Sequence, residues 1–315
     1  MKEIEDPYLY PEKDAKGYPV LKNKFGIRNY QSLDKIEAEL SSLKEVLLKE
    51  AKIERTFDLE HLKKIHKHLF GSIYEWAGET RTINMSKAGS RFMPENLIVT
   101  FSDIVTDKLR NENYFKGQPK EKFVDSMSNF YKTWNEIHPF REGNGRSTRI
   151  LLAEVSENAG YVFRQEVVER NKQLWNRAAA RSVTSNGNDQ TELKALMSQI
   201  VIDARAYHLS RTKPEIALKK FPELFPIYVD INNKIKEIDP KSPDYNKEYN
   251  NVMSREFRQH VYEINAGKSK FITTLPGLQK DPVVAVSKVQ ANDEQGKSES
   301  KNTSVSKGRS KGLEM

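Results

Sequence analysis

The sequence predicts a mainly α-helical fold with one small β-hairpin. Apolar residues recur at steps of three and four over most of the segment from about 31 to 207. Capping residues or prolines stand where these patterns begin, which is typical of helix starts. The helical pattern stops after Gly78, where β-prone residues flank a short turn at 86–90. We therefore expect a helical bundle with a hairpin between two of its helices.

The composition excludes several classes of protein. The chain has 315 residues, of which 37% are hydrophobic and 30% are charged, and it contains no cysteine. Disulfides and cysteine-based metal sites are therefore excluded. No apolar run approaches the length of a membrane span, so no membrane partner is expected. The net charge is +8, but the basic residues are scattered and no known module accompanies them, which disfavours a nucleic-acid partner.

The chain divides into four segments by composition. Residues 1–30, which contain several prolines, glycines and tyrosines, are expected to form an extended N-terminal arm. Residues 31–210 should form the main domain, and 211–267 a helical appendage. Residues 268–315 are rich in Lys, Ser, Asn and Gln and are expected to be a largely disordered tail or linker.

Local signals predict where single helices begin and end. Ser32 is expected to cap the first helix and Asp58 the second, and Pro94 should open a third. Further on, one helix is predicted over 167–182 and another over 191–207, each from its apolar spacing.

The second helix carries half of the six histidines of the chain. His61, His66 and His68 are separated by five and two residues, so their rings do not share one helix face. No carboxylate or cysteine completes a metal-binding set around them. We interpret them as surface histidines.

The stretch 138–149 reads His-Pro-Phe-Arg-Glu-Gly-Asn-Gly-Arg-Ser-Thr-Arg and lies between two predicted helices. The upstream helix must end near Ile137, because the residue before a proline is pushed out of the helical region. Gly143 to Arg146 then lie at the start of the next helix, where unpaired N–H groups and the helix dipole attract anions. Glycines let a ligand approach the backbone. The stretch therefore predicts a phosphate site.

Other residues of the stretch predict chemistry at this phosphate. Arg146 and Arg149 share a helix face and can reach one polyphosphate. Glu142 is out of place beside phosphates unless Mg²⁺ lies between them. His138 can take up a proton near neutral pH. Together these residues predict transfer of part of a nucleotide onto a hydroxyl group.

The stretch matches every defined position of the signature His-Pro-Phe-x-(Asp/Glu)-Gly-Asn-Gly-Arg-x-x-Arg, so the chain resembles the Fic family of adenylyltransferases. The resemblance implies the Fic fold, with a hairpin flap over the active site. It also implies transfer of AMP from ATP, with Mg²⁺, to a Ser, Thr or Tyr hydroxyl of a target protein. His138 would be the catalytic base and Glu142 the metal ligand. The residues implied to bind nucleotide are Gly143, Asn144, Gly145, Arg146 and Arg149, together with Phe140, which is expected to anchor the loop in the core.

The predicted hairpin corresponds to the flap, which in Fic proteins holds the modifiable segment of the target. A Ser-Lys-x-x-x-x-Phe pattern at Ser86, Lys87 and Phe92 supports this resemblance. An open hairpin edge can also pair with an extended peptide on general grounds. An ordinary surface hairpin is the alternative. The residues expected to bind the target are Thr82, Ile83, Asn84, Met85 and Lys87.

Many Fic proteins carry an inhibitory helix, (Ser/Thr)-x-x-x-Glu-(Gly/Asn), whose glutamate pairs with the second arginine of the signature. No segment matches here, since Ser41 and Glu45 are followed by Val46. The chain thus resembles the class that a small antitoxin-like protein inhibits in trans. The Tyr-x-Tyr-Pro sequence at 8–11 and the stretch 21–26 resemble the Fic modules of Bartonella effectors, which implies a place in the bacterial cytoplasm or, after secretion, in the host-cell cytosol.

Two other functions stay open at this point. The chain could be the toxin of a toxin–antitoxin pair that modifies bacterial proteins. It could also be a scaffold that binds a partner through the hairpin and uses its nucleotide site for regulation. Intact His138 and Glu142 argue against the scaffold, because a pure binder needs neither. Phosphocholine transfer would use the same residues with another donor.

Overall fold

The computed structural model describes residues 6–87, 90–183 and 189–272. These residues are mainly helical, which confirms the predicted fold class. The chain divides into two compact units, Met1–Ala204 and Arg205–Met315; the sequence had suggested a division after residue 210. None of the helices in the described ranges combines the length and the apolar character needed to cross a membrane.

The first unit contains the helices that surround the stretch 138–149. Short 3₁₀ turns lie at Leu47–Ala51, Glu95–Leu97 and Asn113–Phe115. The helices are α1 (Tyr30–Val46), α2 (Leu59–Phe70), α3 (Ile98–Asn111), α4 (Lys120–Ile137), α5 (Asn144–Asn158), α6 (Gln165–Arg170), α7 (Lys172–Val183) and α8 (Thr191–Ile200). The strands are β1 (Ser86–Lys87), β2 (Ser90–Arg91), β3 (Tyr161–Phe163) and β4 (Val201–Asp203).

Helix α4 forms the centre of the first unit, where it contacts α3, α5, α7 and α8. Burying each of its large apolar side chains contributes roughly 1.5–3 kcal/mol, so this helix is a rigid support. It ends at Ile137, as predicted from the following proline, and so places His138 at a fixed point. Its buried residues are Phe123, Val124, Met127, Ser128, Phe130, Tyr131, Trp134 and Ile137.

The predicted cap of the first helix is wrong, whereas the cap of the second is confirmed. Asn29 caps α1, because its side-chain oxygen accepts a hydrogen bond from the N–H of Ser32, which lies inside the helix. Asp58 caps α2 and accepts from the N–H of His61 at 2.9 Å. Asn and Ser are equally good capping residues, so the apolar spacing could not decide between Asn29 and Ser32.

The two helices predicted after α5 are also corrected. The first is divided at Asn171 into α6 and α7, and the side-chain amide of Asn171 donates to the carbonyl of Val167. The second is interrupted by β4, which pairs antiparallel with β3 in the register Tyr161↔Asp203. Apolar spacing missed this sheet, since the partner strand lies about 40 residues away.

The predicted hairpin is confirmed but is shorter than expected. β1 and β2 pair antiparallel, with Ser86 opposite Arg91, and the N–H of Phe92 donates to the carbonyl of Met85 at 3.1 Å. Residues 80–85 do not form a strand. The N–H of Thr82 donates to the Tyr8 hydroxyl, so a side chain occupies a backbone donor that could otherwise pair with a neighbouring strand.

The second unit consists of short helices around a small apolar core. The helices are α9 (Ala204–Arg211), which begins at the last residue of the first unit, α10 (Pro214–Lys220), α11 (Phe225–Lys236), α12 (Tyr245–Asn251) and α13 (Phe257–Asn265). Pro222 lies between α10 and α11, and a π-helical segment, Val252–Glu256, joins α12 to α13. Most of the predicted tail, from residue 273 onward, lies outside the described residues.

Candidate active site

A cavity of about 1240 Å³ lies within the first unit. α1, α6, α7, the start of α5 and the hairpin all contribute to its walls. Apart from Phe140, the structure brings together every residue of 138–149 that the sequence singled out. These lining residues are His138, Glu142, Gly143, Asn144, Gly145, Arg146 and Arg149.

The loop before α5 is closed by a side-chain amide. Asn144 accepts a hydrogen bond from the N–H of Phe140 at 2.9 Å and donates to the carbonyl of Phe140 at 2.7 Å. Both residues are buried, and the Phe140 ring stacks on His66 with ring centroids 3.9 Å apart. Phe140 thus packs in the core, as expected, and Asn144 uses its side chain to hold the loop in shape.

Gly143 is the N-cap of α5, and no other residue fits its position without strain. Its φ is +80°, a left-handed conformation that costs residues with a Cβ about 1–2 kcal/mol. A Cβ at this position would lie 2.4 Å from Cε2 of Phe70, which is fully buried. The start of α5 therefore packs directly against the ring of Phe70. Because Gly143 has no side chain, a ligand in the cavity can approach its backbone closely.

His138 caps the end of α4 in a left-handed conformation, with φ of 48°. Its N–H donates to the carbonyl of Trp134 at 3.0 Å. Its ring lies parallel to the ring of Phe92 from the hairpin, with centroids 3.7 Å apart. The imidazole is thus placed between the end of α4 and the hairpin, at the wall of the cavity.

Arg146 is held by residues of α1 that the sequence analysis missed. It forms an ion pair with Glu37 and donates to Ser41 Oγ at 2.9 Å. The hydroxyl of Tyr74 donates to the other oxygen of Glu37. Burial, followed by the charge of Glu37, raises the pKa of Tyr74, so this hydroxyl stays protonated. No local signal marks Glu37, since it lies 109 residues before its partner.

Arg149 also faces carboxylates. Its guanidinium forms an ion pair with Glu169 of α6 at 3.2 Å. Glu45, on α1, lines the same cavity. Burial raises the pKa of Glu45, and the charge of Arg149 opposes this shift. The segment from Ser41 to Glu45, which departs from the inhibitory pattern at Val46, therefore lies in the wall of the same cavity as Arg149.

Glu142 is a half-exposed carboxylate in the wall of this cavity. Its Oε1 accepts from the N–H of Gly143 at 2.9 Å and lies 4.0 Å from Nη2 of Arg146. A carboxylate that faces a cavity beside cationic groups suits a divalent cation shared with phosphate oxygens, as Mg²⁺ is usually bound. The donor set thus fits this metal.

The interpretation of the three histidines as surface residues is wrong for His61 and His66, which are fully buried. His66 Nδ1 accepts from the N–H of Gly78, so its Nε2–H donates to the carbonyl of Glu142. Burial lowers the pKa of His66 to about 4, and the ring is neutral at pH 7. His68 is half-buried. His66 therefore supports the backbone at Glu142, a role that helical spacing could not show.

The described ranges contain one group of residues with the spacing of a metal site, and it lies in the second unit. Asp230, Glu256 and His260 place their ligand atoms within 4.8 Å of one another. The ammonium of Lys234 lies 3.1 Å from Asp230 and also binds Glu256. A lysine thus already supplies the positive charge between these carboxylates.

Of the residues assigned to target binding, Met85 lines the cavity, and Lys87 lies in β1 of the hairpin. Asn84 is exposed, and its Oδ1 accepts from the N–H of Glu95 at 3.1 Å. Thr82 is exposed as well, and Ile83 is half-buried.

Comparison with known proteins shows the family to which the chain belongs. The Fic/DOC family model matches residues 56–155. The chain is 34% identical over 183 residues to the protein adenylyltransferase VbhT of Bartonella schoenbuchensis, over 58% of this chain and 37% of that relative. It is 30% identical over 202 residues to the probable protein adenylyltransferase Fic of Escherichia coli, over 64% of this chain and 95% of that relative. The chain thus spans little more than a third of VbhT but nearly all of the Escherichia coli protein.

Solved structures show the same fold. The Bartonella effector BepC from Bartonella tribocorum, determined with bound AMPPNP, superposes with a TM-score of 0.58 at 23% identity, over 64% of this chain and 99% of that one. The N-terminal Fic domain of another Bartonella effector, described as a VirB-translocated protein, superposes with a TM-score of 0.56 at 28% identity, over 62% and 90% of the two chains. Because a relative at 30% identity is matched over nearly its whole length, and the family model covers α2 to α5, this chain belongs to the Fic/DOC family.

Proposed function

We propose that this chain is a protein adenylyltransferase, which transfers AMP from ATP to a Ser, Thr or Tyr hydroxyl of a target protein. The convergence of His138, Glu142 and the start of α5 with its two arginines in one cavity carries this proposal. The relatives named above as protein adenylyltransferases support the same reaction.

His138 would act as the general base. It would take the proton from the target hydroxyl while that oxygen bonds to the α-phosphorus of ATP. The bond from the α-phosphorus to the oxygen that bridges to the β-phosphate then breaks, and pyrophosphate leaves. A positioned base of this kind contributes about 10²–10⁴ in rate.

The start of α5 would bind the phosphates. Backbone N–H groups at Gly143, Asn144 and Gly145 carry the positive end of the helix dipole. We assign the β/γ side of the triphosphate to Arg146 and the γ-phosphate to Arg149, where they would stabilise charge on the leaving pyrophosphate. Glu142 would hold Mg²⁺ against the phosphate oxygens, and the ion would supply further charge neutralisation.

The hairpin would hold the target. An extended segment of the target would pair with the backbone along 82–85, where it would displace the Tyr8 hydroxyl from the N–H of Thr82, and the Lys87 backbone would continue this edge in β1. Because Met85 and Phe92 line the cavity, a hydroxyl carried by that segment would face His138.

We also propose a host-directed role, regulated in trans. The structural relative at 28% identity is described as a VirB-translocated effector, which supports delivery into a host cell. A small antitoxin-like protein that inhibits this chain would need to insert a carboxylate near Arg149. That carboxylate would compete with Glu169, which is more than half exposed and so can be displaced.

The test uses α-labelled ATP and Mg²⁺ in host-cell and bacterial lysates, with the wild type beside His138→Ala. His68→Ala is the matched control, because His68 lies outside the cavity and donates to the Lys44 carbonyl. We expect a labelled protein band with the wild type and the control and none with His138→Ala, while all three bind ATP. Undiminished labelling by His138→Ala would contradict the proposed mechanism.

A further inference from the structure

We propose that Arg81 is a positioning residue that holds the hairpin and the catalytic histidine in a fixed relation. This inference rests on the proposed function, because it assigns Arg81 to the alignment of the target hydroxyl with His138. The sequence analysis did not single out Arg81.

The side chain of Arg81 is 2% exposed, and its hydrogen-bond partners among the described residues are backbone carbonyls. Its own N–H donates to the carbonyl of Pro139 at 2.8 Å. The residues that accept from the guanidinium are His138 (from Nε, 2.8 Å), Ile83 (from Nη1, 2.6 Å), Ile137 (from Nη2, 3.2 Å) and Met93 (from Nη2).

These carbonyls belong to two separate parts of the site. Ile83 and Met93 lie on the two sides of the hairpin, where the chain enters and leaves it. Ile137 and His138 form the end of α4. One planar group thus ties both ends of the hairpin to the catalytic loop. A guanidinium can do this because its donors form a rigid fork, whereas a lysine offers a single point of attachment.

The charge of Arg81 suits this position. The last carbonyls of a helix lack partners within the helix and carry the negative end of its dipole. Burial lowers the pKa of Arg81, and the charge of Glu95 opposes this shift. The buried guanidinium is stabilised by the carbonyls of α4 and of the hairpin. It therefore favours the conformation in which both sets of carbonyls are in place.

His138 needs such support. Its left-handed backbone costs about 1–3 kcal/mol. The hydrogen bond from Arg81 Nε fixes the direction of its carbonyl. Two further contacts link the end of α4 to the hairpin: the Phe92 ring stacks on the imidazole of His138, and the N–H of Met93 donates to the carbonyl of Glu136 at 2.8 Å. Movement of the hairpin and movement of the imidazole are therefore coupled through Arg81.

The first experiment measures amide hydrogen exchange and does not depend on activity. In the full-length wild type at increasing urea, the amides of Arg81, Met93 and His138 should open as one unit. In Arg81→Lys, peptides covering 81–95 and 135–141 should both exchange roughly tenfold faster or more, while α5 keeps its protection. Leu193→Ala, in the core of α8, is the control for general destabilisation and should not accelerate these two peptides selectively.

The second experiment measures the rate of label transfer from α-labelled ATP to lysate protein, together with ATP binding. Arg81→Lys should lower the transfer rate by roughly ten- to a hundredfold, as expected for a misplaced base, and change the Kd for ATP less than about twofold. The control variant Leu193→Ala should retain the wild-type transfer rate even where its thermal stability is as low as that of Arg81→Lys.

Separate opening of the hairpin and the catalytic loop in the wild type would overturn the inference, as would undiminished transfer by Arg81→Lys. If the wild type labels no protein, the proposed function fails, and hydrogen exchange still decides whether Arg81 couples the two segments.

Discussion

Replacing Gly143 with alanine should destabilise the first unit by about 2–5 kcal/mol. The left-handed backbone accounts for about 1–2 kcal/mol of this loss. The new Cβ would lie 2.4, 2.7 and 3.0 Å from three ring atoms of Phe70. Because that ring is fully buried, it cannot move into solvent, and overpacking of this kind costs about 1–3 kcal/mol more.

Two other glycines separate these contributions. Gly17 has nearly the same φ, +81°, but a Cβ there would meet nothing within 4 Å, so Gly17→Ala should show the backbone cost alone. A Cβ at Gly145 would lie 3.6 Å from Arg149 Nη1, an ordinary contact. Gly145 is in α5, and Gly145→Ala should stabilise the unit by about 0.5–1 kcal/mol through helix propensity.

The assay is urea unfolding without nucleotide, followed by tryptophan fluorescence. All three tryptophans lie in the first unit, at Trp76, Trp134 and Trp175, so the signal reports that unit. The expected order of stability is Gly145→Ala above wild type, then Gly17→Ala, then Gly143→Ala. A loss in Gly143→Ala no larger than that in Gly17→Ala would refute the assigned contact with Phe70.

Two further predictions concern buried ionisable side chains. Because the pKa of His66 is lowered to about 4 in the folded protein, the unfolded chain binds the proton first as the pH falls below about 6.5. Stability should therefore decrease towards pH 4, by up to about 1.4 kcal/mol per pH unit, and urea titrations of His66→Gln should lack this component. Arg146→Ala leaves the carboxylate of Glu37 buried without its cation, which should cost at the lower end of about 3–5 kcal/mol, since Arg146 is partly exposed. The double variant with Glu37→Gln should recover part of that loss in urea unfolding, whereas purely additive losses would count against the pair.

The sequence alone predicted those parts of the molecule that depend on neighbouring residues. The end of α4 follows from the steric effect of a proline on the residue before it, and α4 ends where expected. The start of α5 follows from Gly143 and the residues after it. Since the residues of 138–149 that we propose to bind phosphate are local to one helix start, their convergence could be predicted without knowledge of the fold.

The tertiary structure decided which distant residues support that helix start. Arg81 meets the carbonyl of His138 across 57 residues, His66 meets that of Glu142 across 76, and Glu37 meets Arg146 across 109. Periodicity shows which face of a helix is apolar, but it does not show which buried polar groups will form hydrogen bonds or ion pairs with each other. These pairs form because groups removed from water must find partners inside the fold, and the packing of α1, α2 and the hairpin around α4 and α5 determines which partners are within reach.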